Sequence, residues 1–103
     1  MECEDDRFEW DSDKDDSNYD KHGIGFDDAK DIFFQPTFYG PAFTVDGEQR
    51  AQAIGKLNGV YLVVIFTDRD KKKRIISARP ATEAEKERFK TNAKRWRTLF
   101  DET

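Results

Sequence analysis

Apolar positions alternate along the second half of the chain and recur at helical spacing toward both ends, and this change of period divides the sequence into elements. Gln49 to Lys56, Val60 to Thr67 and Arg74 to Ala78 read as three strands. Asn58-Gly59 joins the first two, and both residues tolerate the positive φ that a two-residue hairpin turn demands. The second strand is apolar on both faces, which predicts a central place in the sheet. Asp68 to Lys73 is a charged turn, and Pro80 ends the third strand.

Ahead of these, Arg7 to Trp10 predicts a short edge strand. Asp11 or Ser12 can cap a helix whose first turn carries Asp13, Asp15 and Asp16, and Gly23 just beyond His22 supplies a left-handed stop. Lys14, Asn18, Lys21 and His22 share one face of that helix, yet the face holds no aliphatic residue. A second helix from Phe26 to Phe34 has Gly25 at its cap, Asp27 and Asp28 at its positive end, and a buried stripe of Phe26, Ala29, Ile32 and Phe33. Gln35 to Asp46 holds two of the three prolines and reads as loop, with a short strand at Ala42 to Val45. Thr82 to Glu85 has the T-x-x-E form of a capping box, and Phe89, Ala93, Trp96 and Phe100 then make one seam of a last helix. Residues 1–6 contain nothing that packs and are expected to be an acidic flexible tail, with residues 7–103 as a single domain. The class is α+β: an edge strand and two helices, a three- to four-stranded antiparallel sheet, and a C-terminal helix.

Composition sharpens this picture through charge. The net charge of −4 hides a split. Residues 1–48 carry 15 acidic and 4 basic side chains, whereas residues 49–103 carry 14 basic and 7 acidic ones. A basic second half suits a polyanion or an acidic partner, although the acidic first half can also fold against it and cancel the field. Cys3 is the only cysteine, so an internal disulfide and a thiolate metal cluster are both excluded. The N-terminal segment lacks a basic run followed by an apolar one, and Val60 to Phe66 is too short to cross a bilayer, so a cytoplasmic location is expected.

Alternation places Arg50, Gln52 and Ile54 on one face of the first long strand, and Ile75, Ser77 and Arg79 on one face of the last. A guanidinium presents a planar fork of donors that matches two phosphate oxygens and keeps its charge at every relevant pH, so Arg50, Arg69, Arg74 and Arg79 are candidates to hold a phosphodiester. Each can equally be a solvated strand end paired with a nearby acid. Lys71, Lys72 and Lys73 can grip a nucleic-acid backbone by charge or stand as a solvated turn. His22, the one imidazole, is a candidate acid or base or simply a helix end cap, and Glu48 is a second candidate base or a salt-bridging loop acid. There is no Gly-rich phosphate loop, no paired Cys or His metal motif and no G-x-S-x-G elbow.

Taken in order, F-E-W-D (Phe8 to Asp11), Lys14, Asn18, K-H-G (Lys21 to Gly23), Phe26, Ala29, Phe33, G-E-x-R (Gly47 to Arg50), Ile54-Gly55, the Leu62 to Thr67 strand with Arg69, R-I-I-S-A-R (Arg74 to Arg79), Ala81, Thr82 and Glu85 resemble the BrnT family of bacterial toxins. The resemblance implies a RelE-like ribonuclease fold and metal-independent cleavage of RNA without a cofactor. It further implies inhibition of translation and growth, and neutralisation by a DNA-binding antitoxin of the BrnA type, in a heterotetramer and away from any membrane. Arg50, Arg74, Arg79, His22 and Glu48 would then be catalytic, and Lys21, Arg69, Lys71, Lys72 and Lys73 would bind RNA. Arg79→Ala is expected to abolish toxicity and leave the fold intact. Phe89 stands where the family often has tyrosine, so that hydroxyl is absent here, and Lys90 to Thr103 with R-W-R (Arg95 to Arg97) extends beyond the usual core. The rival class is a non-catalytic binding module, or a toxin homologue that keeps antitoxin binding without activity.

Overall fold

Strand β1 (Glu2–Glu4), strand β2 (Phe8–Asp11) and helix α1 (Ser12–His22) lead into a short helix α2 (Phe26–Ala29) that tightens into a 3-10 segment, Lys30–Phe34. Then come β3 (Phe38–Tyr39), β4 (Phe43–Val45), the three long strands β5 (Glu48–Leu57), β6 (Val60–Arg69) and β7 (Lys72–Pro80), and helix α3 (Glu83–Asp101). This computed structural model describes residues 2–101, apart from the side chains of Cys3 and of residues 93–101. The seam expected through Ala93, Trp96 and Phe100 and the Arg95 to Arg97 run lie outside the described residues.

The strands join in one seven-stranded sheet in the order β1-β2-β7-β6-β5-β3, with β4 also on β5. The class is α+β, as expected, but the sheet is larger and mixed. β2 runs parallel to β7, through Phe8 beside Lys73 and Glu9 beside Arg74. It is not the edge, because residues 2–4, expected to fray, pair antiparallel with it. β6 lies between β7 and β5, where its apolar faces put it. The turns after β4, β5 and β6 each carry two successive residues at positive φ, namely Asp46-Gly47, Asn58-Gly59 and Asp70-Lys71. Two-residue turns of this hand match the twist of the strands they connect.

Cross-strand partners share a face, so the pairing separates the two sides of the sheet. One side carries Ala53, Leu62, Val64, Phe66, Ile75 and Ala78 against Phe26, Ala29 and Ile32 of the early helical segments, closed by Phe8 and Trp10. Gly55 lies on that side opposite Leu62, and a Cβ added there would come within 2.7 Å of Ile32 Cβ. Gly55→Ala is therefore expected to cost about 1–3 kcal/mol through overpacking. A urea midpoint within error of the parent would show that the 3-10 segment yields instead.

Helix α1 keeps to its expected bounds: Asp11 Oδ1 accepts from Asp13 N–H, and Gly23 closes the helix at φ 70°. Its aliphatic-free face has a structural purpose. β2 pairs with β7 only near Lys73 and Arg74, which leaves the outer backbone of β7 bare further along. Buried Asn18 fills that gap, donating to Ala78 O and accepting from Ala78 N–H, as a neighbouring strand would. Its amide also donates to Ile24 O and so ties down the link to α2, whose first N–H, at Phe26, donates to Asp15 Oδ1.

Candidate nucleic-acid interface

The other side of the sheet gathers the arginines, and an irregularity in β7 makes this possible. Thr67 pairs with Arg74, Phe66 with Ile75, but Ile65 pairs with Ser77 and Val63 with Arg79. The register shift leaves Ile76 as the extra residue. Strict alternation would send Arg74 and Arg79, five positions apart, to opposite faces; the extra residue brings them to the same one. It also overturns the expected grouping of Ile75 with Ser77 and Arg79, since Ile75 faces the core. Arg50 joins this face one step beyond the Ala51–Phe66 pair, alongside Thr67.

Two groups result along the strands. Arg50 and Arg74 flank Thr67, and Arg69 opposite Lys72 lies two positions further toward the β6–β7 turn. Arg79 sits in the row of Val63 and Ile54, four positions of β6 away, or about 13 Å. An open groove of about 430 Å³ adjoins the first group, lined by Ala42, Gln49, Arg50, Ala51, Thr67 and Asp68. Thr67 is buried and its hydroxyl donates to Gln49 O, which fixes β5 against β6 beside Arg50.

Most of the candidate cations already hold carboxylates. Arg50 Nε lies 2.8 Å from Glu48 Oε1. Arg74 forms a fork on Glu2, with both bonds at 2.8 Å, and approaches Glu9 at 3.5 Å. Lys72 Nζ lies 2.6 Å from Glu4 Oε2. Lys73 belongs to the opposite side, paired with Asp68 at 3.5 Å and lying over the rings of Phe33 and Phe66. Lys71 is exposed in the tight turn, and Arg69 is exposed at the end of β6. Lys21 and His22 stand exposed in the last turn of α1, an element that packs on β7 and β2 rather than on β5.

Arg79 is bound most firmly. Its two terminal nitrogens reach Glu85 Oε1 and Oε2 at 2.7 and 2.9 Å, while Glu85 Oε1 also accepts from Thr82 N–H and Glu85 N–H donates to the Thr82 hydroxyl. The expected capping box is thus present, with an arginine added to it. That fork, followed by the Thr82 bonds, holds the Glu85 carboxyl down to about 2. Because the folded value lies below the unfolded one, the ion pair stabilises fully above about pH 4.5 and is lost as pH falls toward 2. Glu85 is only 8 % exposed but the Arg79 side chain is 36 % exposed, so solvent trims the contribution to about 2 kcal/mol. Glu85→Gln, which can still cap, is expected to lose that much in urea unfolding at pH 7 and to converge with the parent by pH 2 to 3. A constant gap across this range would assign the loss to packing. Arg79→Ala would strand a buried carboxylate, so this change is expected to lower stability as well as activity.

Among the described residues, no group of three or more His, Cys, Asp or Glu side chains is gathered as a metal site requires, and no helix is long and apolar enough to cross a membrane. Sequence reasoning missed Asn18 as a backbone substitute and Glu2 and Glu4 as partners of the basic row. The only sign of the first was a polar residue centred on a helix face without aliphatics. For the second there was the acidic tail itself, at a spacing of two. No curated protein matches the chain. Residues 10–85, from Trp10 on β2 through the arginine strands to the capping Glu85, match the family model described as the ribonuclease toxin BrnT of type II toxin-antitoxin systems, and the chain belongs to that family of ribonuclease toxins.

Proposed function

We propose that the chain cuts RNA on the arginine face of the sheet, by attack of a ribose 2′-hydroxyl on the adjacent phosphate, without a metal ion. The scissile phosphate lies between Arg50 and Arg74, whose forks stabilise the charge of the crowded phosphorane. Glu48, beside Arg50, takes the proton of the attacking hydroxyl. Arg69 and Lys72 hold the strand on one side; Arg79, with Lys21 and His22 at the α1 end, holds it on the other. Lys71 and Lys73 add charge near the β6–β7 turn. The departing 5′-oxygen takes its proton from water, so the products carry a 2′,3′-cyclic phosphate and a 5′-hydroxyl, and loss of transcripts in the cytoplasm stops translation and growth. A DNA-binding antitoxin of the BrnA type covers the toxin, in a heterotetramer.

One observation carries this reading: within the segment that matches a ribonuclease toxin family, the shifted register of β7 turns Arg74 to the face that Arg50 occupies, on either side of one buried threonine. Incubating the purified protein with RNA in EDTA and testing the fragments for cyclic phosphate ends checks it directly. Intact RNA would remove the proposal. The pairing of Arg50, Arg74 and Arg79 with carboxylates favours a second reading, a homologue that binds its antitoxin without cleaving. Such a protein would capture the product of the adjacent reading frame and leave growth unaffected when expressed.

A further inference from the structure

The carboxylate that holds Lys72 and the one that forks with Arg74 come from a strand that the family match does not include. That match begins at Trp10, whereas β1 spans Glu2–Glu4. Glu2 and Glu4 lie on the arginine face, two positions apart on an extended strand and hence about 7 Å from each other. Consecutive phosphates of an extended single-stranded nucleic acid are separated by a similar distance. Glu2 offers both its oxygens to the fork of Arg74, as a phosphate would, and Glu4 meets the ammonium of Lys72.

We propose that Lys72 and Arg74 form a subsite for two consecutive phosphates of single-stranded RNA, and that β1 is a built-in mimic of that backbone which RNA must displace. The proposal rests on the ribonuclease reading and adds to it where the strand lies and what blocks it.

The attachment of β1 is suited to release. It pairs with β2 through only three residue pairs, and in two of these like charges face each other, Glu2 against Asp11 and Glu4 against Glu9. Directly opposed like charges weaken a strand pair. The two cations bind this cluster together: the hydrogen bond from Arg74 holds the Glu2 carboxyl below the usual carboxylate range, and the bond that Lys72 donates to Glu4 raises the pKa of the Lys72 ammonium. β1 therefore depends on Arg74 and Lys72 for its place. A chain of phosphates competing for the same two cations removes the main attraction and leaves the repulsion. Without β1, the sheet ends at β2, which stays paired with β7 and packed in the core through Phe8 and Trp10.

The test is the affinity of the full chain for a fluorescent single-stranded oligonucleotide of 2′-O-methyl RNA, which cannot be cleaved. Glu2→Gln combined with Glu4→Gln is expected to bind at least 10-fold tighter than the parent. Asp16→Asn combined with Asp20→Asn removes the same charge from the exposed side of α1 and is expected to change binding less than 2-fold. In a Lys72→Gln, Arg74→Gln background the gain from Glu2 and Glu4 is expected to vanish, since the phosphates then have nothing to occupy. Equal gains in the two acid-to-amide pairs, or a gain that survives loss of both cations, would overturn the mimic and assign the effect to net charge. If no form binds the oligonucleotide, the subsite is absent. The ribonuclease reading is judged separately by cyclic phosphate ends from the parent, so cleavage without a Glu2 and Glu4 effect would sink this inference alone.

Discussion

Arg74→Ala is expected to slow RNA cleavage by about 10²- to 10³-fold, the usual loss when one preorganised donor to a developing negative charge is removed. The position of Arg74 depends on backbone geometry that the rest of the fold enforces. The register shift in β7 sets it opposite Thr67, across from Arg50. Its carboxylate partners Glu2 and Glu9 stand on β1 and β2, where water can replace the lost fork on Glu2, so the thermal midpoint is expected to move by only a few degrees. That separates it from Arg79→Ala, in which a drop in stability confounds any drop in rate. Single-turnover cleavage followed by counting cyclic phosphate ends measures the effect. Arg74→Lys is expected to recover only part of the rate, because an ammonium keeps the charge and loses the fork. An Arg74→Ala protein that cuts at the parent rate would move the scissile phosphate to the Arg79 end of the strand.

Elements defined by local chemistry were legible from the residues alone. Asn58-Gly59, the Asp11 cap, the Gly23 stop and the Thr82-to-Glu85 box each satisfy backbone groups within a few positions of themselves, and each occurs where its own sequence places it. Features that depend on distant chain were not. Nothing in R-I-I-S-A-R reveals that Ile76 is the extra residue of a bulge, because the decision is made by which of its neighbours must meet Phe66 and Ile65 of β6. The parallel docking of β2 on β7 likewise depends on burying Phe8 and Trp10 beneath the helical segments, a contact across more than sixty positions that no periodicity reports. The tail was misread for the same reason. Glu2 and Glu4 have no local partner, and their carboxylates reach across β2 to Arg74 and Lys72. The candidate arginines and lysines are legible in the residues as a basic set, but their pairing and their division into two groups are tertiary facts. The face of α1 that held no aliphatic residue was the clearest hint left over, and it leads to the second large effect.

Asn18→Ala is expected to lose about 3–5 kcal/mol, which approaches the whole stability of a small domain. Three hydrogen bonds end on this one amide, two of them with the backbone of Ala78 and one with Ile24 O. Truncation leaves the Ala78 N–H and C=O facing a gap that water reaches poorly, since Asn18 is itself only 7 % exposed. Each stranded polar group costs about 1–3 kcal/mol. Asn18→Asp separates the hydrogen bonds from the space that the side chain fills. The introduced carboxylate still accepts from Ala78 N–H but sets negative charge against the oxygens of Ala78 and Ile24, which raises its folded pKa above the unfolded value. Above the folded value the variant pays for burying that charge, so its stability is expected to rise as pH falls through the folded pKa, opposite in sign to the Glu85 effect. Urea unfolding followed by circular dichroism between pH 7 and pH 4 reads both variants. A loss under about 1 kcal/mol for Asn18→Ala would mean that the bare edge of β7 finds another partner, and the amide would no longer count as the missing strand.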